Sequence, residues 1–260
     1  MPHSSVRNRS WHLGAVGLPI LFTGLLSGLL AALPCAVLAK TLYFAGYTWS
    51  VRGDGVGNPD NNTWKQDNAW VDAQGRLHLR LACDHGQWSS AEVVMDQRLG
   101  FGTYQFQLDS RVDTLDKNVI LGLFNYPTDD VGPDRTNEID IEFARWGEAV
   151  NNPLNFTVWP ADLQHKPSGQ TFAPRMDAAQ TTHRWIWHRR SIRFQSTFGH
   201  FDDNRYPLAD YTFAPADFAG AISQSPMPVH INLWTQAPPS DGRPVEIVIS
   251  SFTYTPSYGD

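Results

Sequence analysis

The chain has 260 residues, 42% of them hydrophobic and 12% aromatic, with a formal net charge of −6. That length carries a sizeable core in one domain or two small ones. The acidic balance excludes the basic footprint that nucleic acid requires. Ten Trp, eight Tyr and fourteen Phe in a Lys-poor chain suit sugar binding, where flat rings stack on pyranose faces, although the same rings also fill ordinary cores.

Residues 1–39 read as an export signal. Arg7 and Arg9 form a positive n-region, no acid precedes Asp54, and an apolar run extends from about Leu13 to Leu38. Val37-Leu38-Ala39 supplies small residues for cleavage before Lys40. The run is long enough to span a bilayer, which keeps an uncleaved anchor as the alternative. Pro19, Pro34 and frequent Gly favour the signal. Cleavage removes two positive charges and no negative ones, so the net charge moves from −6 to −8. Cys83 is then the single cysteine, which excludes an internal disulfide. Standing after a clean strand, it reads as a small buried residue. The expectation is a secreted or periplasmic monomer with one domain at 40–260, touching a membrane only if the N-terminal segment is retained.

After Lys40 the pattern is of short alternating runs separated by Gly, Pro, Asn and Asp, without sustained helical periodicity. Arg76 to Ala82 sets Leu77, Leu79 and Leu81 against His78 and Arg80, behind a turn at Ala73-Gln74-Gly75. Gly100 to Val112 sets Tyr104, Phe106 and Leu108 against Gln105, Gln107 and Asp109. Val119 to Phe124 is almost continuously apolar. Further strands are predicted over 155–159, 183–188, 191–197, 229–234 and 245–254. Asp217 to Gly220 reads as a short helical turn. Residues 125–136, 160–182 and 202–228 read as long connections, the kind that carry binding loops. Many short strands with turn signals between them predict an all-β, two-sheet antiparallel β-sandwich or a barrel.

The most informative stretch is Glu138-Ile139-Asp140-Ile141-Glu142-Phe143. Strand parity puts Ile139, Ile141 and Phe143 on one face and the three acids on the other. A merely solvated face mixes charge signs. Three aligned carboxylates without a Lys or Arg between them repel one another, so this face asks for a function. Two other strands share the design. Asn155, Thr157 and Trp159 oppose Phe156 and Val158; His230, Asn232 and Trp234 oppose Val229, Ile231 and Leu233. In one sheet, these outer faces would surround the acids with Asn, His and Trp, as a carbohydrate cleft requires. Ordinary packing beneath a loop is the competing reading for Trp159 and Trp234.

Glycoside hydrolysis uses two carboxyl groups flanking the scissile bond, roughly 5–5.5 Å apart in the retaining mechanism. Two Glu four residues apart on a strand have Cα atoms about 13 Å apart, and both side chains can lean inward to that separation. Asp140 between them is placed to orient one of them. Crowding of like charges predicts that one carboxyl, Glu142, holds its proton while Glu138 stays ionised.

The same six residues resemble the active-site signature of glycoside hydrolase family 16, in the form without an inserted residue that is similar to its licheninase and xyloglucan endotransglycosylase branches. Supporting stretches are Ala91-Glu92-Val93 followed by Phe101-Gly102-Thr103-Tyr104, His183-Arg184-Trp185-Ile186-Trp187, and Asn232-Leu233-Trp234. Asn61 to Trp64, with Val71 to Leu77, is similar to the N-terminal region. The resemblance implies a concanavalin-A-like jelly roll with a concave substrate cleft. It makes Glu138 the nucleophile, Asp140 its helper and Glu142 the acid/base, with Glu92, Asn155 and Trp234 lining the cleft. Trp159 and His230 join them by face parity, and Asn232 by its place in the last of those stretches. The chain departs from the family pattern at Arg135-Thr136-Asn137, where a Trp is common; at Val94, where an Arg is common; and at Thr157, where a Tyr is common. Ser250 replaces an acid that helps to bind structural calcium in some relatives, which leaves that calcium unsupported; no cofactor is expected.

The function expected is hydrolysis of internal β-glycosidic bonds of a polysaccharide such as a β-glucan, through a glycosyl-enzyme. Alternatives are a transglycosylase of the same family and a lectin-like module that binds glycan without cleaving it. A metal site built from the three acids is disfavoured, because alternate strand positions spread ligands along a line.

Overall fold

The computed structural model describes residues 39–257. The expected signal segment therefore lies outside the described residues, apart from Ala39. Two large antiparallel sheets enclose one apolar core. The front sheet runs β1 (Thr41–Phe44), β2 (Tyr47–Val51), β8 (Ala91–Leu99), β17 (Met227–Thr235), β10 (Val119–Asn125), β11 (Ile139–Phe143), β12 (Leu154–Val158), β13 (Ser168–Phe172). The back sheet runs β16 (Pro207–Phe213), β15 (Ile192–Phe198), β14 (Gln180–Trp187), β9 (Gly102–Asp109), β18 (Val245–Pro256), β6 (Leu77–Asp84), β5 (Ala69–Val71), with β7 (Gln87–Ser89) pairing β6. β3 (Gly55–Gly57) and β4 (Asn62–Trp64) pair with each other in a small hairpin. Among the described residues the one α-helical turn is α1 (Phe218–Ala221), at the predicted place.

Parity explains the layering. Ile139, Ile141 and Phe143 of β11, Leu154, Phe156 and Val158 of β12, and Val229, Ile231 and Leu233 of β17 are all buried in the core. They meet Tyr104, Phe106 and Leu108 of β9 and Trp185 and Trp187 of β14 from the back sheet. Beneath the acid strand, the Phe143 ring meets His183 edge-on at 4.9 Å. His183 is hydrogen-bonded on both ring nitrogens, to Ser196 Oγ and Thr181 Oγ1, each at 2.8 Å. Burial pushes its pKa down to about 3, with the Arg184 charge adding to the effect, so it serves as a neutral polar strut in the core.

Two stretches predicted as connections contain strands. β13 lies within 160–182 and β16 within 202–228. Both are outermost strands, as is β1. An edge strand has one neighbour and little to bury, so its apolar alternation is weak; β13 exposes its three central residues. Cys83 is exposed rather than buried. It lies where β6 runs out into the hairpin with β7, pairing Trp88, past the last core residue of that strand, Leu81.

Candidate active site

β10 is the middle of the site, with β17 on one side and β11 on the other. Its Leu121 and Leu123 point into the core, so Ile120, Gly122 and Phe124 point to the opposite face. Cross-strand register then builds rows over the front sheet. One row reads Glu92, Asn232, Gly122, Glu142, Asn155. The next reads Val94, His230, Phe124, Asp140, Thr157. Glu138 enters just before β11, its carbonyl accepting a hydrogen bond from the Trp159 N–H at 2.8 Å. The sequence-predicted residues of four strands thus share one surface.

A cleft of about 1010 Å³ lies on this surface. Glu92, Glu138, Glu142, His230, Asn232 and Trp234 line it. Arg52, Phe124, Tyr126, Asp134 and the Asn58-Pro59-Asp60 turn line it as well. Asn155 and Trp159 are not among the residues that line it. The Asn155 amide donates to the Ala144 carbonyl at 2.9 Å. The Trp159 side chain hydrogen-bonds the Asp140 carboxyl, favouring its charged form.

The three acids are graded in exposure. Glu138 and Glu142 are half-buried and reach the cleft, whereas Asp140 is only 2% exposed. Burial raises the pKa of all three. For Asp140 the charges of Glu138 and Glu142 raise it further, and it hydrogen-bonds Glu138. For Glu138 burial is again the largest cause; the Asp140 hydrogen bond opposes it, while the charges of Glu142, Asp134 and Glu92 add to it. Burial pushes Glu142 up to about 7. Crowding was expected to raise one carboxyl; desolvation raises the whole row. The Glu138–Asp140 hydrogen bond is best satisfied by a proton on the buried Asp140, which leaves charge on Glu138 facing the cleft.

The far wall of the cleft carries a second charged set. Arg52 Nη1 donates to Glu92 Oε2 at 2.7 Å, and His230 Nδ1 lies 2.9 Å from Glu92 Oε1. Burial tends to raise the Glu92 pKa, but these two partners outweigh it and hold Glu92 below its ordinary value. The Arg52 guanidinium lies 3.9 Å over the Trp64 ring. Trp64 packs with Ile120, Ala144 and Trp234 in a small apolar cluster under the end of the cleft. Tyr126 donates to Asp134 at 2.6 Å on the rim near Glu138.

At the position of the calcium-binding acid of some relatives, the Ser250 hydroxyl donates to the Gln107 carbonyl at 3.0 Å. Among the described residues no group of three or more His, Cys, Asp or Glu is arranged to hold a metal ion. A neutral hydroxyl already engaged with a carbonyl does not fit a calcium site there.

The sequence reading did not find Arg52, Phe124, Gly122 or Tyr126. Phe124 and Gly122 sit in a nearly continuous apolar run, which hides which residues face outward. Arg52 follows β2, a strand whose alternation is short.

Fold and surface together define a β-sandwich with a carboxylate-lined cleft across one sheet. No protein-family model matches the chain, and no curated protein matches it. Solved structures do. The chain is similar to a β-glucanase of Bacillus licheniformis, with a TM-score of 0.61 and 21% identity over 83% of this chain and 94% of the other. It is similar to a prokaryotic β-1,3-1,4-glucanase (lichenase) from a mouse hindgut metagenome, at TM-score 0.60 and 18% identity over 83% and 96%. It is also similar to an immunostimulatory antigen and pseudo β-1,3-glucanase of Mycobacterium tuberculosis, at TM-score 0.60 and 17% identity over 81% and 91%. At these identities the likeness is one of fold. The jelly roll expected from the family 16 resemblance is the fold of this chain.

Proposed function

We propose that the protein is an exported, retaining endo-β-glycanase of the family 16 type, cleaving internal bonds of a β-linked polysaccharide through a glycosyl-enzyme. The observation that carries this reading is the graded row of acids: buried Asp140 hydrogen-bonded to Glu138, with Glu138 and Glu142 both reaching one cleft.

Glu138 attacks the anomeric carbon. Glu142, whose pKa is raised to about 7 so that a large share of molecules keeps the proton at neutral pH, donates that proton to the departing glycosidic oxygen. A water then enters, gives a proton back to Glu142, and displaces Glu138 from the sugar. Asp140 fixes the Glu138 carboxylate by the hydrogen bond, and Trp159 fixes Asp140 in turn. The Arg52–Glu92–His230 set and Asn232 present fixed donors and acceptors to sugar hydroxyls along the far wall.

The β-glucanase names of the neighbours support a β-glucan as substrate. The neighbour described as a pseudo β-1,3-glucanase keeps the glycan-binding alternative in the test. The deciding experiment incubates the protein with β-glucans, xyloglucan, agarose and carrageenan and measures new reducing ends. Release from a β-glucan is the expected result. Glycan binding without release from any of them overturns the hydrolase reading.

A further inference from the structure

Trp146 is accounted for neither by the core nor by the cleft wall. It is 38% exposed, and its φ of 53° puts a bulky residue in the left-handed region that such residues adopt rarely and at a cost. The surrounding loop over-determines this conformation. Arg145 donates from one nitrogen to the carbonyls of Ala149 and Asn151 and from the other to that of Asp113. Lys117 Nζ donates to the Gly147 carbonyl at 2.7 Å, and the Gly147 N–H returns a bond to the Lys117 carbonyl at 2.8 Å. The ring is fixed as well: Nε1 donates to Asn155 Oδ1 at 3.4 Å, and Asn155 stands beside Glu142 in the cross-strand register. Its centroid lies 6.4 Å from that of Trp234, at an interplanar angle of 56°. Trp234 lines the cleft.

An exposed indole held by strain beside a cleft-lining indole is an unfilled contact surface. We infer that Trp146 and Trp234 form two walls of a seat for one pyranose ring at the Glu142 end of the cleft. Seating a sugar there extends the substrate beyond the acids, so the enzyme prefers longer glycans. The cations of the loop, Arg145 and Lys117, are engaged with backbone carbonyls, and the cleft acid in register with Asn155 is Glu142. The seat therefore suits a neutral β-linked hexopyranose rather than a sulfated or uronic sugar. This inference rests on the cleft being a glycan site.

The test compares the full chain with Trp146→Gly and Trp146→Phe. Glycine removes the ring and accepts the left-handed backbone, and a thermal melt of each variant separates a loss of fold from a loss of binding. Binding of β-glucan oligosaccharides of increasing length is titrated, and kcat and KM are measured on the same series. Trp146→Gly should weaken affinity and raise KM roughly three- to tenfold for the longer oligosaccharides, with kcat little changed, while Trp146→Phe retains most of the affinity. Unchanged affinity and KM in Trp146→Gly, or equal losses in both variants, overturn the seat. A wild type that binds these glycans without cleaving them removes the hydrolase reading and leaves the seat to be judged by affinity alone. A wild type that cleaves them, with Trp146→Gly indistinguishable, removes the seat and leaves the hydrolase reading standing.

Discussion

Gly122 and Asn232 face each other across the floor of the cleft, so closely that a Cβ on Gly122 would lie 2.6 Å from Asn232 Oδ1. It would also approach the Phe124 ring to 3.3 Å. The missing side chain is what keeps the space between Asn232 and Glu142 open. Asn232 Oδ1 is itself buried without a hydrogen-bond partner.

Gly122→Ala should therefore damage the site more than the fold. The obstructing atom is the end of a side chain, so Asn232 turns aside and the sheet survives. The expected outcome is a several-fold rise in KM with Tm lowered by no more than a few degrees, read by steady-state kinetics and thermal melting.

Arg52 can be separated from the acids in the same way. Arg52→Ala leaves the buried Glu92 carboxylate with His230 alone. Losing one partner of a fully buried pair costs about 3–5 kcal/mol. Arg52 is about a third exposed, so solvent screening lowers the expected loss to roughly 1–2 kcal/mol. Urea unfolding measures it, and weaker glycan binding should accompany it because the far wall loses a fixed donor.

The pH profile follows from the raised carboxyls. Glu142 must be protonated to donate, and its pKa near 7 means that this form is present below about 7 and lost above it. Glu138 must be ionised to attack. Burial pushes it up to about 8, so the ionised form is a minority below that pH, and the two required forms overlap only around pH 7 to 8. The expected kcat/KM profile is a narrow bell whose acidic limb lies above the ordinary Glu value of about 4.3. A broad plateau from pH 4 to beyond 8 would contradict this.

Much of the site is legible in the sequence, for a geometric reason. A strand has period two, so Glu138, Asp140 and Glu142, and likewise His230, Asn232 and Trp234, declare a shared face on their own strands. That these strands lie in one sheet with β10 between them is long-range information that no local pattern contains. Gly122 draws its role from the residue across from it, and Arg52 from a pairing with Glu92, 40 positions away in the chain. Glu92 illustrates the middle ground. β8 alternates buried Ala91, Val93 and Met95 with Glu92, Val94 and Asp96, so its outward face is readable, although the partners that hold Glu92 are not. Trp159 shows the opposite lesson: parity places it on the face of Asp140, where it hydrogen-bonds that acid and is not among the residues lining the cleft. The edge strands β1, β13 and β16 leave little trace in the sequence because little of them is buried.

The role of Glu138 as nucleophile is tested most directly by the rate of reducing-end release from the cleaved β-glucan with wild type and with Glu138→Gln, which is isosteric and removes the attacking charge. The expected result is a loss of roughly 10³-fold or more in kcat, with glycan affinity and Tm retained. Release by Glu138→Gln at a rate close to that of the wild type would contradict it.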